Sequence, residues 1–456
     1  MCRSSSTGSA ARFGRAPGRA LPGARPRRPV DGGRLRIAVV GTGIAGLTAA
    51  RELHGVNGVH DLTVFEAGDR VGGHAHTQRV ERWGRSWDVD TGFVVYNEQT
   101  YPSFTRLLAE LGVATRPSTM SFSVADRATG LEYGGAGFSA LFAQRSNLLR
   151  PSFLRMIADI VRFNREATAL AEAATLDADT TLGELLEGRG FGADVRDRYL
   201  APMGAAIWSA STRDTLRMPA AFFVRFFHNH GLLRPPGRQL QWRTVEGGAQ
   251  RYVDALARPF ASRIRTRSPV RGLCRAGDGV EVRTDDGVER FDEVVLATHA
   301  DQSLALLSDA TPAEREVLGA FRYASNDAVL HTDTRILPVR TRAWSSWNVR
   351  VAESPGRPVG ITYHMSLLQG LATPEPFLVT LNDAERVDPA RVLARMRYEH
   401  PVPTPAAIAA QRRHAEINGT HRVRFCGAYW RNGFHEDGHV SALAAVRDLV
   451  RREVQA

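Results

Sequence analysis

The stretch RIAVVGTGIAGLTAARELHG, residues 36–55, restricts this chain more than any other. Residues 37–40 form a short apolar run that stops at a glycine, the pattern of a buried strand, and the apolar residues beyond recur at helical spacing. Between the two, Gly41, Gly43 and Gly46 spell G-x-G-x-x-G. In that context the first glycine permits a tight turn, the second lets backbone approach a pyrophosphate, and the third lets helix and strand pack closely. The helix start, with Ile44 and Ala45, then presents free amides and the positive end of its dipole. Twenty residues after Gly46, DLTVFE ends in Glu66, placed to accept hydrogen bonds from a ribose. The expectation is an α/β protein with a Rossmann-type dinucleotide site.

The residues that follow separate one dinucleotide from another. Glu66 and Ala67 open E-A-G-D-R-V-G-G-H, with Arg70, a second glycine pair ending at Gly73, and His74. This run resembles the flavin amine oxidase superfamily, whose members carry E-A-x-x-R-x-G-G after the Rossmann glycines. Gly68 and His74 stand where many members have arginines near the pyrophosphate, so the phosphate contacts here are expected to differ. SWDVDTGFVVYNEQTYPSF, residues 86–104, resembles the segment that passes the isoalloxazine ring, with Asp90, Thr91, Gly92 and Phe93 nearest it. Val270 matches a position whose backbone meets adenine. RVRFCGAYWRNGFHEDGHVSALAAV resembles the C-terminal strand and helix that close the site, with Gly427 at the strand end and Gly438 to Ala442, including Val440, at the helix start. Ala428 replaces the acid that usually reaches the ribityl chain. The resemblance covers about residues 35–456 and implies FAD as the cofactor.

Because these blocks are discontinuous, residues 35–97, 240–306 and 415–456 are assigned to an FAD domain. Residues 98–239, read as largely helical, and 307–414, read as mixed, are assigned to an α+β substrate or cap domain. The stripe Phe153, Met156, Ile157, Ile160, Val161 and Phe163 predicts a long amphipathic helix. The Phe-rich stretch 221–227 suggests either core or a face toward an acyl tunnel or membrane.

Composition removes several chemistries. All 59 Lys+Arg residues are arginine, so Schiff-base catalysis, a P-loop lysine and a lysine base are excluded. The resemblance adds that many relatives keep a lysine that holds a water beside the flavin; its absence predicts slow reaction of reduced flavin with oxygen. Residues 1–36 hold nine arginines and one acid, about +8 of the net +11, leaving only about +3 for the rest and no case for a nucleic-acid partner. The tail, residues 1–34, is too rich in Arg, Ser, Gly and Pro to build a core and reads as disordered. Its Arg27-Arg28 pair and its Arg- and Ser-rich makeup leave a twin-arginine signal, a transit peptide or an upstream start site as alternatives. Three cysteines without C-x-x-C spacing argue against a disulfide framework and fit the cytoplasm, and no apolar run is long enough to span a bilayer. His228 and His230 lack a third ligand in register, so no metal is expected.

For the chemistry, Trp208, Tyr96, Tyr429 and Trp430 are candidate pocket walls, and His435 or Glu436 candidate proton acceptors. Cys426 is read as a small buried strand residue and Asp437 as a helix cap. The blocks YNEQTYPSFTRLLAELGV, PMGAAIWS and FCGAYWRNGFHEDG further resemble a bacterial subgroup of FAD-binding proteins whose genes adjoin cyclopropane-fatty-acid-synthase-like methyltransferases. That resemblance implies a redox change of an unsaturated or methylated fatty acyl chain, a lipid-like substrate, peripheral membrane contact and a lipid methyltransferase partner. Competing readings are an amine or amino-acid oxidoreductase, a carotenoid or isoprenoid desaturase-like enzyme, and an FAD-binding scaffold without turnover.

Overall fold

Strand Arg36–Val40 is apolar on both faces because both faces are covered. Ile37 and Val39 pack with helix Ile44–Gly55, while Ala38 and Val40 pack on the opposite side with Val280, Val282 and Phe291 of an antiparallel meander. The strand is the middle member of a five-stranded parallel sheet ordered Ile264–Arg265, Asp61–Phe65, Arg36–Val40, Glu293–Leu296, Val423–Phe425. The computed structural model describes residues 34–454 apart from 56–59, 178, 236 and 352–355. The tail reading, residues 1–34, therefore falls outside the described residues except at Arg34. Residues 35–456 group as one compact unit.

Three further sheets complete the described residues, the smallest of them the hairpin of Thr77–Arg82 with Arg85–Asp90. Seven strands run in the order Val392–Val402, Arg322–His331, Leu378–Leu381, Gly360–His364, Trp347–Arg350, Phe122–Asp126, Leu131–Gly134. The parallel pairing of Phe122–Asp126 with Trp347–Arg350 joins the two segments assigned to a substrate or cap domain in one sheet. A three-stranded sheet, Val95–Asn97, Trp242–Val245, Thr115–Ser118, runs across the boundary drawn at residue 97. Residues 98–239 thus carry three strands between helix Pro102–Glu110 and the later helices, a departure from the largely helical reading. Those strands are short, only four or five residues each, so periodicity alone carried little signal.

Helix Pro151–Ala173 forms where the stripe predicted one, with Phe153, Met156, Phe163 and Ala167 buried. Val161, placed on that stripe, is instead 65% exposed. Its 100° steps from Met156 and Phe163 carry it to the outer face. The Phe-rich stretch lies on helix Ala220–Asn229, with Phe223, Phe226 and Phe227 buried. They pack with Trp208 in the helical core, so this stretch offers no membrane face.

Candidate active site

One cavity of about 1270 Å³ runs from the glycine turn to the seven-stranded sheet. It exceeds the range typical of a pocket for one small ligand, which leaves room for a dinucleotide and a substrate together. Gly41, Gly43, Ile44, Ala45, Glu66, Ala67 and Val270 line its nucleotide end. Gly73, His74, Thr91, Gly92, Phe93, Gly427, Tyr429 and His435 line the middle, and Trp208 the cap end.

The glycine turn is built by contact. A Cβ on Gly46 would lie 1.9 Å from the Gly41 carbonyl oxygen, so helix and strand approach too closely for any side chain. Gly73 has φ of +58° and rests against Gly43, where a Cβ would come within 2.9 Å of the Gly43 Cα. The Gly43 Cβ position itself opens onto free space. Glu66 accepts hydrogen bonds from the Thr42 amide at 3.1 Å, the Thr42 hydroxyl, and the Gly68 amide at 2.8 Å, bracing the turn.

In the middle, His435 stacks on Phe93 with ring centroids 3.6 Å apart, and its Nε2 meets the Tyr252 hydroxyl at 2.9 Å. Burial pushes its pKa down to about 3, so the imidazole is neutral. His74 is buried too, its pKa lowered well below the ordinary value by desolvation, and among the described residues its Nε2 has no hydrogen-bond partner. Its ring lies 5.4 Å from His400, 5.3 Å from Tyr398 and 5.9 Å from His299. His299 in turn stacks on Tyr323 at 4.4 Å. These four residues, His299, Tyr323, Tyr398 and His400, come from a helix start and two long strands; sequence reasoning passed over them because strand alternation marks a buried face, not what that face borders. Among the described residues no group of three His, Cys, Asp or Glu could hold a metal ion.

Several predicted residues do not reach the cavity. Glu436 is 8% exposed, and its carboxylate accepts the backbone amides of Ser103 at 3.1 Å and Phe104 at 2.8 Å, so it caps helix Pro102–Glu110 and cannot serve as a base. Gly46 lies between helix and strand, as above. Arg70 donates to the carbonyls of Gly73 (2.5 Å) and Ala75 (3.0 Å) and so holds the glycine pair rather than a phosphate. Gly438 packs on Ile44, with 2.8 Å between its Cβ position and Ile44 Cγ2, and Val440 sits farther along the same helix, half-buried and off the cavity wall. Trp430 packs among Phe321, His414 and Tyr429, and Tyr96 among Tyr101 and Phe104; both are core. Asp437 holds the preceding loop by accepting amides of Asn432 and Phe434 at 3.2 and 2.9 Å, and burial raises its pKa to about 7. Cys426 is fully buried, with its thiol pushed up to about 12. Trp208 donates its indole N–H to the Asn432 carbonyl at 3.3 Å and so ties the cap to the closing loop.

The family model for flavin containing amine oxidoreductases matches residues 44–347. The chain belongs to this family. A Mycobacterium tuberculosis protein bearing the name flavin-containing monoamine oxidase AofH is 30% identical over 284 residues, 60% of this chain and 59% of that protein. The match thus spans less than two thirds of that relative's length. The solved structure of a fatty acid isomerase from P. acnes, described as producing CLA, superposes with a TM-score of 0.64 at 16% identity, covering 92% of this chain and 98% of that one. Cyclohexylamine oxidase from Brevibacterium oxydans gives 0.65 at 16% identity over 91% and 99%. At such identities the likeness establishes a shared fold.

FAD is the family's cofactor, and the residues present fit it. The open face at Gly43 suits a pyrophosphate, and His74, whose Nε2 has no hydrogen-bond partner among the described residues, lines the same cavity. Glu66 stands beside Thr42 with a carboxylate that can turn to a ribose.

Proposed function

We propose that this chain is an FAD-dependent oxidoreductase acting on a lipid-like substrate, most directly the unsaturated or methylated acyl chain of a neutral ester. Bound FAD supplies a hydride acceptor. The observation that carries the reading is the chemistry of the cavity's cap end. There the walls are mostly apolar or aromatic, with Met120, Phe122, Tyr133, Tyr199, Met203, Ile207, Trp208, Phe226, Trp347, Tyr363, Leu368 and Leu381, interrupted by the neutral polar Ser118, Ser121, Ser209, His230, Gln239 and Gln241. The four charged residues of the wall, Glu66, Asp90, Arg271 and Glu399, lie elsewhere or are committed. Asp90 is fully buried and holds Thr77 (2.5 Å), the Ala249 amide (2.9 Å) and Gln369 (3.1 Å). Among the described residues the wall's one arginine, Arg271, pairs with Asp285 at 2.9 Å, so the wall offers no free partner for an amino-acid carboxylate, and desolvating an unpaired ion is costly.

The protein's contribution is then positional. Aromatic and aliphatic walls hold a C–H bond near the cofactor and exclude water, while Tyr429 and the neutral His435 form the wall beside it. With Glu436 committed to a helix end, the second hydrogen of a desaturation leaves as a proton to the neutral imidazole of His230 on the cavity wall. A methyltransferase partner that alters the same acyl chain, and delivery of substrate at a membrane surface, belong to this reading.

A second reading, an amine oxidoreductase, is favoured by the family match and by the identity to the mycobacterial relative. Anaerobic titration separates the two. Bleaching of the flavin by neutral esters of unsaturated fatty acids, and not by primary amines, is expected. Bleaching by amines alone refutes the lipid reading, and no bleaching by either favours a scaffold. Lipid profiles of strains with and without the gene would name the altered acyl species.

A further inference from the structure

We infer that the surface built by residues 138–161 docks the protein on an anionic lipid bilayer. Nine large apolar side chains stand exposed among the described residues, and five of them fall in this short span. They are Phe138 (69%), Leu148, Leu149 (87%), Leu154 and Val161. Leu154 and Val161 are two turns apart on one face of helix Pro151–Ala173, with exposed Ala158 between them. Between residues 138 and 158 there is no acidic residue, but there are three arginines, Arg145, Arg150 and Arg155. Among the described residues no carboxylate forms an ion pair with any of the three, whereas the acids farther along the helix are paired, Asp159 with Arg162 and Glu166 with Arg189.

Apolar side chains interleaved with uncompensated arginines fit a bilayer whose headgroups are anionic. A second copy fits poorly, since a symmetric contact would set the three arginines of one patch against those of the other. The patch also adjoins the cavity. The Phe138 ring lies 4.8 Å from Phe142, Phe142 lies 5.9 Å from Phe153, and Phe153 lies 5.6 Å from Tyr133, which lines the cavity. Gly135, another cavity residue, is exposed three positions before Phe138. An acyl chain leaving the bilayer at this face would meet the apolar end of the cavity.

Lipid delivery rests on the lipid-substrate reading, but docking itself is measured without turnover, so the two fail separately. The full-length holoprotein is sedimented with vesicles of phosphatidylcholine alone or with phosphatidylglycerol added. Binding is expected with phosphatidylglycerol and to fall with salt. The pair Leu149→Asp/Leu154→Asp should weaken it at least tenfold. Replacing Arg145, Arg150 and Arg155 with Gln should cost about fivefold each, about a hundredfold together. Retained flavin absorption confirms that the variants fold. No enrichment on anionic vesicles overturns the proposal. So does binding that both sets of substitutions leave unchanged, the result if the arginine-rich tail alone were responsible. Light scattering that shows a dimer broken by Leu149→Asp/Leu154→Asp overturns it in favour of self-association.

Discussion

Replacing Glu436 with alanine tests whether the carboxylate nearest His435 in sequence does chemistry or holds a helix. The helix Pro102–Glu110 has no side-chain cap of its own: the Tyr101 side chain at its N-cap accepts no amide, and Pro102 fills its first position. The amides of Ser103 and Phe104 are instead met by Glu436, 333 and 332 residues away. Each bond to a charged acceptor is worth about 1.5–3 kcal/mol. Losing both, with two amides left in a nearly buried setting, should cost about 3–5 kcal/mol. Unfolding entropy of roughly 2.1 cal/mol/K per residue gives about 0.9 kcal/mol/K for some 420 residues. Glu436→Ala should therefore lower the thermal midpoint by about 3–6 °C, and Glu436→Gln, which keeps one carbonyl acceptor, by about half that. Below the transition, the rate at which the reducing lipid or amine bleaches the flavin should stay within about twofold of wild type, read by anaerobic stopped flow. An unchanged midpoint with flavin reduction abolished would refute the capping role and restore Glu436 as a base.

Gly73→Ala places a Cβ against Gly43 at positive φ, and should lower the flavin-to-protein ratio of the purified chain at least tenfold in FAD affinity, measured by fluorescence titration. Stability should fall as pH drops below about 6.5. His74, His230, His400 and His435 are held neutral by burial, with values lowered to about 4 for His230 and His400 and about 3 for His435, so the unfolded chain takes up protons that the folded chain refuses. Asp90 and Asp437, raised by burial to about 7, act in the opposite sense, because the folded chain gains protons there first. The histidines lowered by burial, His76, His331 and His439 at about 4 among them, outnumber the two acids, so urea midpoints should fall from pH 6.5 to 4.5, and midpoints that rose across that window would contradict it. Reduced flavin should reoxidise slowly in air-saturated buffer, since no lysine exists to hold a water beside it; fast reoxidation in stopped flow would show that another residue takes that place.

The nucleotide half was legible in the sequence because its signals are local. A strand, a glycine turn and a helix within twenty residues specify their own geometry, and Gly41, Gly43 and Glu66 stand on the cavity wall for reasons of backbone sterics that neighbours alone impose. Trp208, Tyr429 and His435 also line the cavity. Glu436 was misread because a side chain three residues from a glycine and one from a histidine carries no mark of the distant helix it caps. The same holds for His299 and His400, whose strand and helix meet His74 only after the chain has closed on itself.

By itself the sequence determined the dinucleotide turn, the absence of lysine chemistry and the family, since each depends on residue type and short spacing. Only the tertiary structure decided which carboxylate is free, which phenylalanines are core and which apolar side chains face water. Those outcomes depend on what lies across the chain: Val161 and Phe163 are two residues apart, and only the packing of helix Pro151–Ala173 buries one and leaves the other exposed.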